Sequence, residues 1–108
     1  MKFDFEETSK NMLAAAAGVL TGQWQGIRAC VEQVFADEKA ALEAIAAARL
    51  AGDIDDDEVA SQLEDEKETL TAQLLVCQVK TKVAAQQAVN AALKVLTDAI
   101  QVALKAAI

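Results

Sequence analysis

The sequence predicts an all-α fold: a long antiparallel helical hairpin that dimerises into a four-helix bundle. Three observations carry this. The 108 residues include no Pro and 24 Ala, with abundant Leu, Glu and Lys, a composition of strong helix formers. A helix-period apolar pattern runs up to Ala51, and a second one restarts shortly after it. Between them, at the midpoint of the chain, Gly52-Asp53-Ile54-Asp55-Asp56-Asp57-Glu58 combines a helix stop with a helix start. At this length the chain is a single domain.

Residues 1–8 form a short N-terminal arm, in which Phe3 and Phe5 alternate with charges and are available to dock on a bundle end or a partner. Thr8 or Ser9 can cap the first helix, predicted over 9–51. Leu13, Ala17, Leu20, Trp24, Ile27, Val31, Val34, Ala41, Ile45 and Ala48 recur along it at three- or four-residue spacing, with one step of seven from Val34 to Ala41 that keeps the phase. Gly18, Gly22 and Gly26 interrupt this helix, each costing about 1 kcal/mol against Ala in a helix interior. Their spacing of four makes a small-residue row where another helix could approach closely, by analogy with membrane helices. The helix is therefore continuous, or kinked or broken at 18–26.

The acidic turn occupies 52–55. Arg49 suits the negative end of the first helix, and Gly52 suits the position just past it. Asp55 and Glu58 match a capping box, with Asp56 and Asp57 in the positive first turn that follows. A second reading places Asp53, Asp55, Asp57, Ser61 and Glu64 at five ligand positions of a calcium-binding helix-loop-helix. Glu58 and Ala60 stand against it, because the loop wants Gly and a bulky apolar residue there. No metal and no other cofactor is expected.

The second helix is predicted over 56–107, roughly 75 Å of rod at 1.5 Å per residue. Its first half is narrowly amphipathic, with Val59, Leu63, Leu70, Leu74 and Cys77 inward. In its second half the polar residues shrink to Gln87, Asn90, Lys94, Thr97, Asp98, Gln101 and Lys105. Val89, Leu93, Leu96 and Ile100 belong to an apolar face too wide for one neighbouring helix. That width is the reason to expect a homodimer, with the glycine row and these four residues as its contacts.

Cys30 and Cys77 sum to about the same number as residues paired across a turn centred on Asp53 and Ile54, so the hairpin sets them level. They are either two reduced, buried thiols, as is usual in cytosol, or a disulfide across the hairpin. Trp24-Gln25-Gly26 spells the W-x-G tripeptide and in that alone resembles the small secreted helical hairpins of the WXG type. Those proteins carry it at the turn between helices, whereas here it lies far from the inferred turn, and Trp24 reads as a core residue.

The net charge of −7 is unevenly placed: nine of the 17 acids lie between Asp53 and Glu68, against the single base Lys67. Phosphate backbones need a basic stripe, so nucleic acid is not an expected partner. Asp4, Glu6 and Glu7 sit where a secretory leader needs positive charge, and no uncharged apolar run is long enough to span a bilayer, so a cytoplasmic protein without a transmembrane segment is expected. With no His or Tyr, no nucleophile elbow and no phosphate-binding glycine loop, no catalytic residues are assigned and the chain is not read as an enzyme. The expected function is non-catalytic protein binding or scaffolding by a self-associating hairpin. Its candidate partner contacts are Asp55, Asp56, Asp57 and Glu58 at the acidic tip and Phe3 and Phe5 in the arm. The rivals are a lipid-surface protein that lays its apolar C-terminal helix, Val83 to Ile108, on a membrane, and a small secretion-associated helical protein.

Overall fold

A computed structural model of the chain describes residues 3–106. Met1, Lys2, Ala107 and Ile108 lie outside it, and with them the start of the expected arm and the end of the expected second helix. The described residues form helices α1 (Phe5–Val19), α2 (Trp24–Asp37), α3 (Lys39–Leu50), α4 (Asp56–Val76) and α5 (Lys82–Ala106) and no strand.

The arm is shorter than expected because Asp4, not Thr8 or Ser9, caps α1. Its carboxylate accepts a hydrogen bond from the Glu7 N–H at 3.2 Å, and Phe5, the first helical residue, is buried. Helix α1 ends at the glycines. Leu20 is the C-cap, and Leu20–Gln23 make the turn to α2, with the Gln23 N–H donating to the Leu20 carbonyl at 3.0 Å. Helices α2 and α3 meet at Glu38 alone. The bonds Glu38 N–H to Val34 O (3.2 Å) and Leu42 N–H to Glu38 O (3.1 Å) carry the helical ladder across it, so the pair acts as one kinked rod.

Between α3 and α4, Gly52 takes a left-handed conformation (φ 81°), which lets its N–H reach Arg49 O and the Asp53 N–H reach Ala48 O. Asp55 then starts α4 with a reciprocal capping box: Glu58 N–H to Asp55 Oδ1 at 2.8 Å and Asp55 N–H to Glu58 Oε1 at 3.2 Å.

The expected continuous helix over 56–107 is two helices. Cys77 is the C-cap of α4, and Gln78 adopts φ 71°. The Gln78 N–H bonds Leu75 O and the Val79 N–H bonds Leu74 O, closing the same left-handed stop as at Gly52. Val79 is buried, adding the apolar contact that accompanies such a stop. Thr81 restarts the chain, its hydroxyl accepting from the Ala84 N–H at 3.0 Å.

These breaks fold two long rods into four shorter ones, and the molecule is only 43 Å along its longest axis. Helix α1 lies antiparallel along α5 in the largest helix–helix interface, while α4 covers a second side of α5 and α3 touches it as well. Ala85, Ala88, Val89, Ala92, Leu93, Leu96, Ile100 and Ala103 of α5 are all buried as a result, together with Met12, Ala16 and Leu20 of the first rod and its turn. Burial that was expected from a second copy is achieved within one chain.

A disulfide joins Cys30 of α2 to Cys77 at the end of α4, with the Cα atoms 5.7 Å apart. It closes a loop across the α3–α4 turn with a sequence separation of 47. A loop of that length loses enough unfolded-state entropy on cross-linking to stabilise the fold by about 4 kcal/mol in the chain-entropy picture. Replacing both cysteines by Ala is therefore expected to lower the unfolding free energy by about 2–4 kcal/mol, read from urea midpoints. Equal midpoints for the two proteins would show that the cross-link restrains nothing.

Candidate functional site

The antiparallel rods bring the three turns, the start of α1 and the end of α5 to two ends. At one end lie the start of α1, the α3–α4 turn and the end of α5. Phe3 and Phe5 stand 6.3 Å apart, centroid to centroid, over a small hollow of about 120 Å³ shared with Glu43, Ala46, Ala47 and Leu50. Phe5 belongs to the core and Phe3 packs against it, so the arm does not present them as free contacts. The hollow is also below the size of ordinary ligand pockets.

The acids at this end divide by what they hold. Asp55 and Glu58 are engaged in the capping box. Asp56 Oδ1 accepts from Arg49 Nε at 2.8 Å and from Gln101 Nε2 at 3.0 Å, tying α4 to both α3 and α5. The Arg49 bond, followed by the Gln101 bond, holds its carboxyl below the usual 3.8. Asp53 and Asp57 are exposed, and Glu64, Asp65 and Glu68 continue an exposed acidic surface down α4. Of these five, Glu64 alone has a cation within ion-pair distance among the described residues, Lys67 at 3.8 Å.

The calcium reading does not survive this geometry. Because the capping box starts α4 at Asp56, Asp57, Ser61 and Glu64 are spread along a helix over roughly 10 Å and do not wrap around a loop. Among the described residues, no group of three or more His, Cys, Asp or Glu could hold a metal ion.

The residues assigned to self-association are placed differently. Val89, Leu93, Leu96 and Ile100 are buried inside the chain. Gly18, Gly22 and Gly26 are exposed, and a Cβ on any of them would meet nothing within 4 Å, so no helix of the same chain packs into that row. The apolar face of α5 is occupied by α1 and α4, so the lipid reading for the C-terminal helix requires that helix to open away from them. No described helix is long and apolar enough to cross a membrane.

At the opposite end the α1–α2 and α4–α5 turns lie side by side, joined by the Lys80 N–H donating to Gln23 Oε1 at 3.1 Å. Trp24-Gln25-Gly26 opens α2 here, directly after a turn, with Trp24 half-buried against the core. Val76 and Val83 stand 81% and 60% exposed on either side of the second turn, and Lys80 and Lys82 between them are exposed. Attention to the acidic midpoint passes over this end in the sequence. Its signal is the absence of any acid from 8 to 31 and from 69 to 97.

One carboxylate is held unfavourably. Glu66 Oε2 is buried without a hydrogen-bond partner among the described residues. Burial, and then the neighbouring carboxylates of Glu38 and Asp65, push Glu66 above its ordinary 4.5. The folded state therefore binds this proton more readily than the unfolded state. The stability it contributes is full below pH 4.5 and is lost as pH rises through the raised folded value. Glu66→Gln is expected to stabilise the protein near pH 7 by about 0.5 kcal/mol, the scale of a partly solvated charge pair, and to give no advantage at pH 4. Thermal melts of both proteins across that range test this, and a constant difference at every pH would remove the electrostatic explanation.

Comparison with protein-family models, with curated proteins and with solved structures found no match, so the functional reading rests on the geometry of the two ends.

Proposed function

We propose that the chain is a non-catalytic binding module that works as a single cross-linked bundle and makes its contacts through its ends. The observation that carries this is the separation of charge along the rod. Exposed acids gather around the α3–α4 turn and along α4, whereas the opposite end holds Lys80, Lys82 and exposed aliphatics. Such a separation keeps like charges together at a local cost, and it creates surfaces that steer oppositely charged partners. The acidic end would take a basic protein segment.

Association with a second copy is not part of this reading, since α1 and α4 already cover the face of α5 that required it. The bonded cysteines favour an oxidising compartment over the cytoplasm expected from sequence, because disulfides persist where thiols are not kept reduced.

Light scattering on the oxidised protein is expected to give the mass of one chain across the micromolar range. A concentration-independent dimer would return the assembly to the two-hairpin form. The acidic end is tested with a lysine-rich peptide titrated into the wild type and into a variant carrying Asp53→Asn, Asp57→Asn, Glu64→Gln, Asp65→Asn and Glu68→Gln. Binding should weaken at least tenfold in the variant, about 1.4 kcal/mol, and weaken in the wild type as salt rises. Indistinguishable titrations would remove the acidic end from the reading.

A further inference from the structure

We infer that the disulfide end, formed by the α1–α2 and α4–α5 turns, docks end-on against an anionic lipid surface. The inference rests on the reading of the ends as binding surfaces and names the partner of the second one.

Four features converge there. Val76, the last residue of α4, and Val83, the second residue of α5, are the two most exposed large aliphatics among the described residues, at 81% and 60%. Leu75 and Val19, also exposed, close the adjoining ends of α4 and α1. Lys80 and Lys82 lie between the two valines in sequence and make no ion pair among the described residues. Arg28 is one turn into α2, held by Glu32 at 3.2 Å. Glu68 lines the α4–α5 groove together with Lys67, Leu75 and Lys82.

Exposed aliphatics flanked by lysines suit the boundary between lipid headgroups and chains. There the valines can leave water while the ammonium groups remain among phosphates. The form of the surface favours lipid over an acidic protein. Val76 and Val83 project from helix ends beside a turn and do not line a closed cleft, and a fluid headgroup layer adapts to projections that a folded partner would need a matching cavity to receive.

The net charge of −7 does not oppose this. The most acidic turn lies at the far end of a molecule 43 Å long, several times the screening length of about 8 Å at physiological salt. A membrane at the lysine end would meet the local charge and not the total, and the acidic end would point away from the bilayer.

Trp24, the only tryptophan, sits at this same end and reports on contact there. The oxidised full chain should co-sediment with phosphatidylcholine vesicles containing phosphatidylserine and not with phosphatidylcholine alone, with Trp24 emission moving to the blue. A Lys80→Glu, Lys82→Glu variant should lose at least tenfold in vesicle affinity. A Val76→Ser, Val83→Ser variant should lose severalfold and show a smaller emission shift. Both changes are at exposed positions, and unchanged circular dichroism separates lost docking from lost folding. The acidic-end variant above, with Glu68 retained, should bind vesicles as the wild type does, because Glu68 alone of the five acids lines the α4–α5 groove beside Lys82, so failure of the acidic end and failure of this one are read separately. No sedimentation with anionic vesicles, equal binding to neutral vesicles, binding that both end variants retain, or capture of polyglutamate in preference to vesicles would each overturn the proposal.

Discussion

Helix α5 is apolar over most of its circumference, and a surface that wide stays dry only if neighbours cover it from more than one side. Helix α1 supplies the cover that α4 alone cannot, and the small residues of this interface make it possible. Ala16 on α1 and Ala85, Ala88 and Ala92 on α5 are fully inaccessible. Short side chains let helix axes approach closely and recover in dispersion contacts what alanine lacks in buried area. For α1 to lie there, the chain must turn after Leu20, and for α5 to run back beside it, the chain must turn again after Cys77. The two breaks are therefore consequences of one burial requirement met within the chain.

The remaining connections fix the register of that packing. Arg49 and Gln101 both donate to Asp56, so the start of α4 is tied to two neighbouring rods at one end. Near the other end the Cys30–Cys77 bond holds α2 to α4, and Gln23 accepts from the Lys80 backbone between adjacent turns. Between α1 and α3, Lys39 donates to the Glu6 carboxylate, a bond that raises the Lys39 pKa above 10.5. Exposed ion pairs of this kind add little stability individually. Their value here lies in selecting one alignment of alanine-rich faces that could otherwise slide.

The readable parts of the sequence were those written in local chemistry. Gly52 and the Asp55–Glu58 pair spell a stop and a start in residue types, and at a spacing, that those positions favour. The breaks that set the architecture were harder because their signals were weak or substituted. At Gln78 a left-handed stop is made by a residue that does not prefer that conformation, so no glycine marks it. Thr81 caps α5 without an acidic residue at the third helical position, since that position is Ala84. The apolar stripe kept its phase across the glycines, yet phase cannot distinguish a continuous helix from two helices joined by a short turn. The width of the apolar face of α5 is legible in sequence, and the helix does pack against more than one neighbour. What periodicity could not say was whether the second neighbour belonged to the same chain.

The charge arrangement follows from that topology. In an antiparallel bundle each end gathers both helix starts and helix stops. The disulfide end holds the C-termini of α1 and α4 with the N-termini of α2 and α5. Their macrodipoles largely cancel, so side chains set the sign of each end. The acids of the α3–α4 turn start α4, where they favour its dipole and complete its cap, and this local benefit places them together at one extreme of the rod. The lysines of the α4–α5 connection meet no such acids, because the acid-free spans 8–31 and 69–97 contribute that end's turns. The same folding of two long patterns into four rods that hides the apolar face of α5 thus brings two acid-free turns side by side. In a simple hairpin the same residues would lie within the two long rods as helix, and no end of the molecule would carry them.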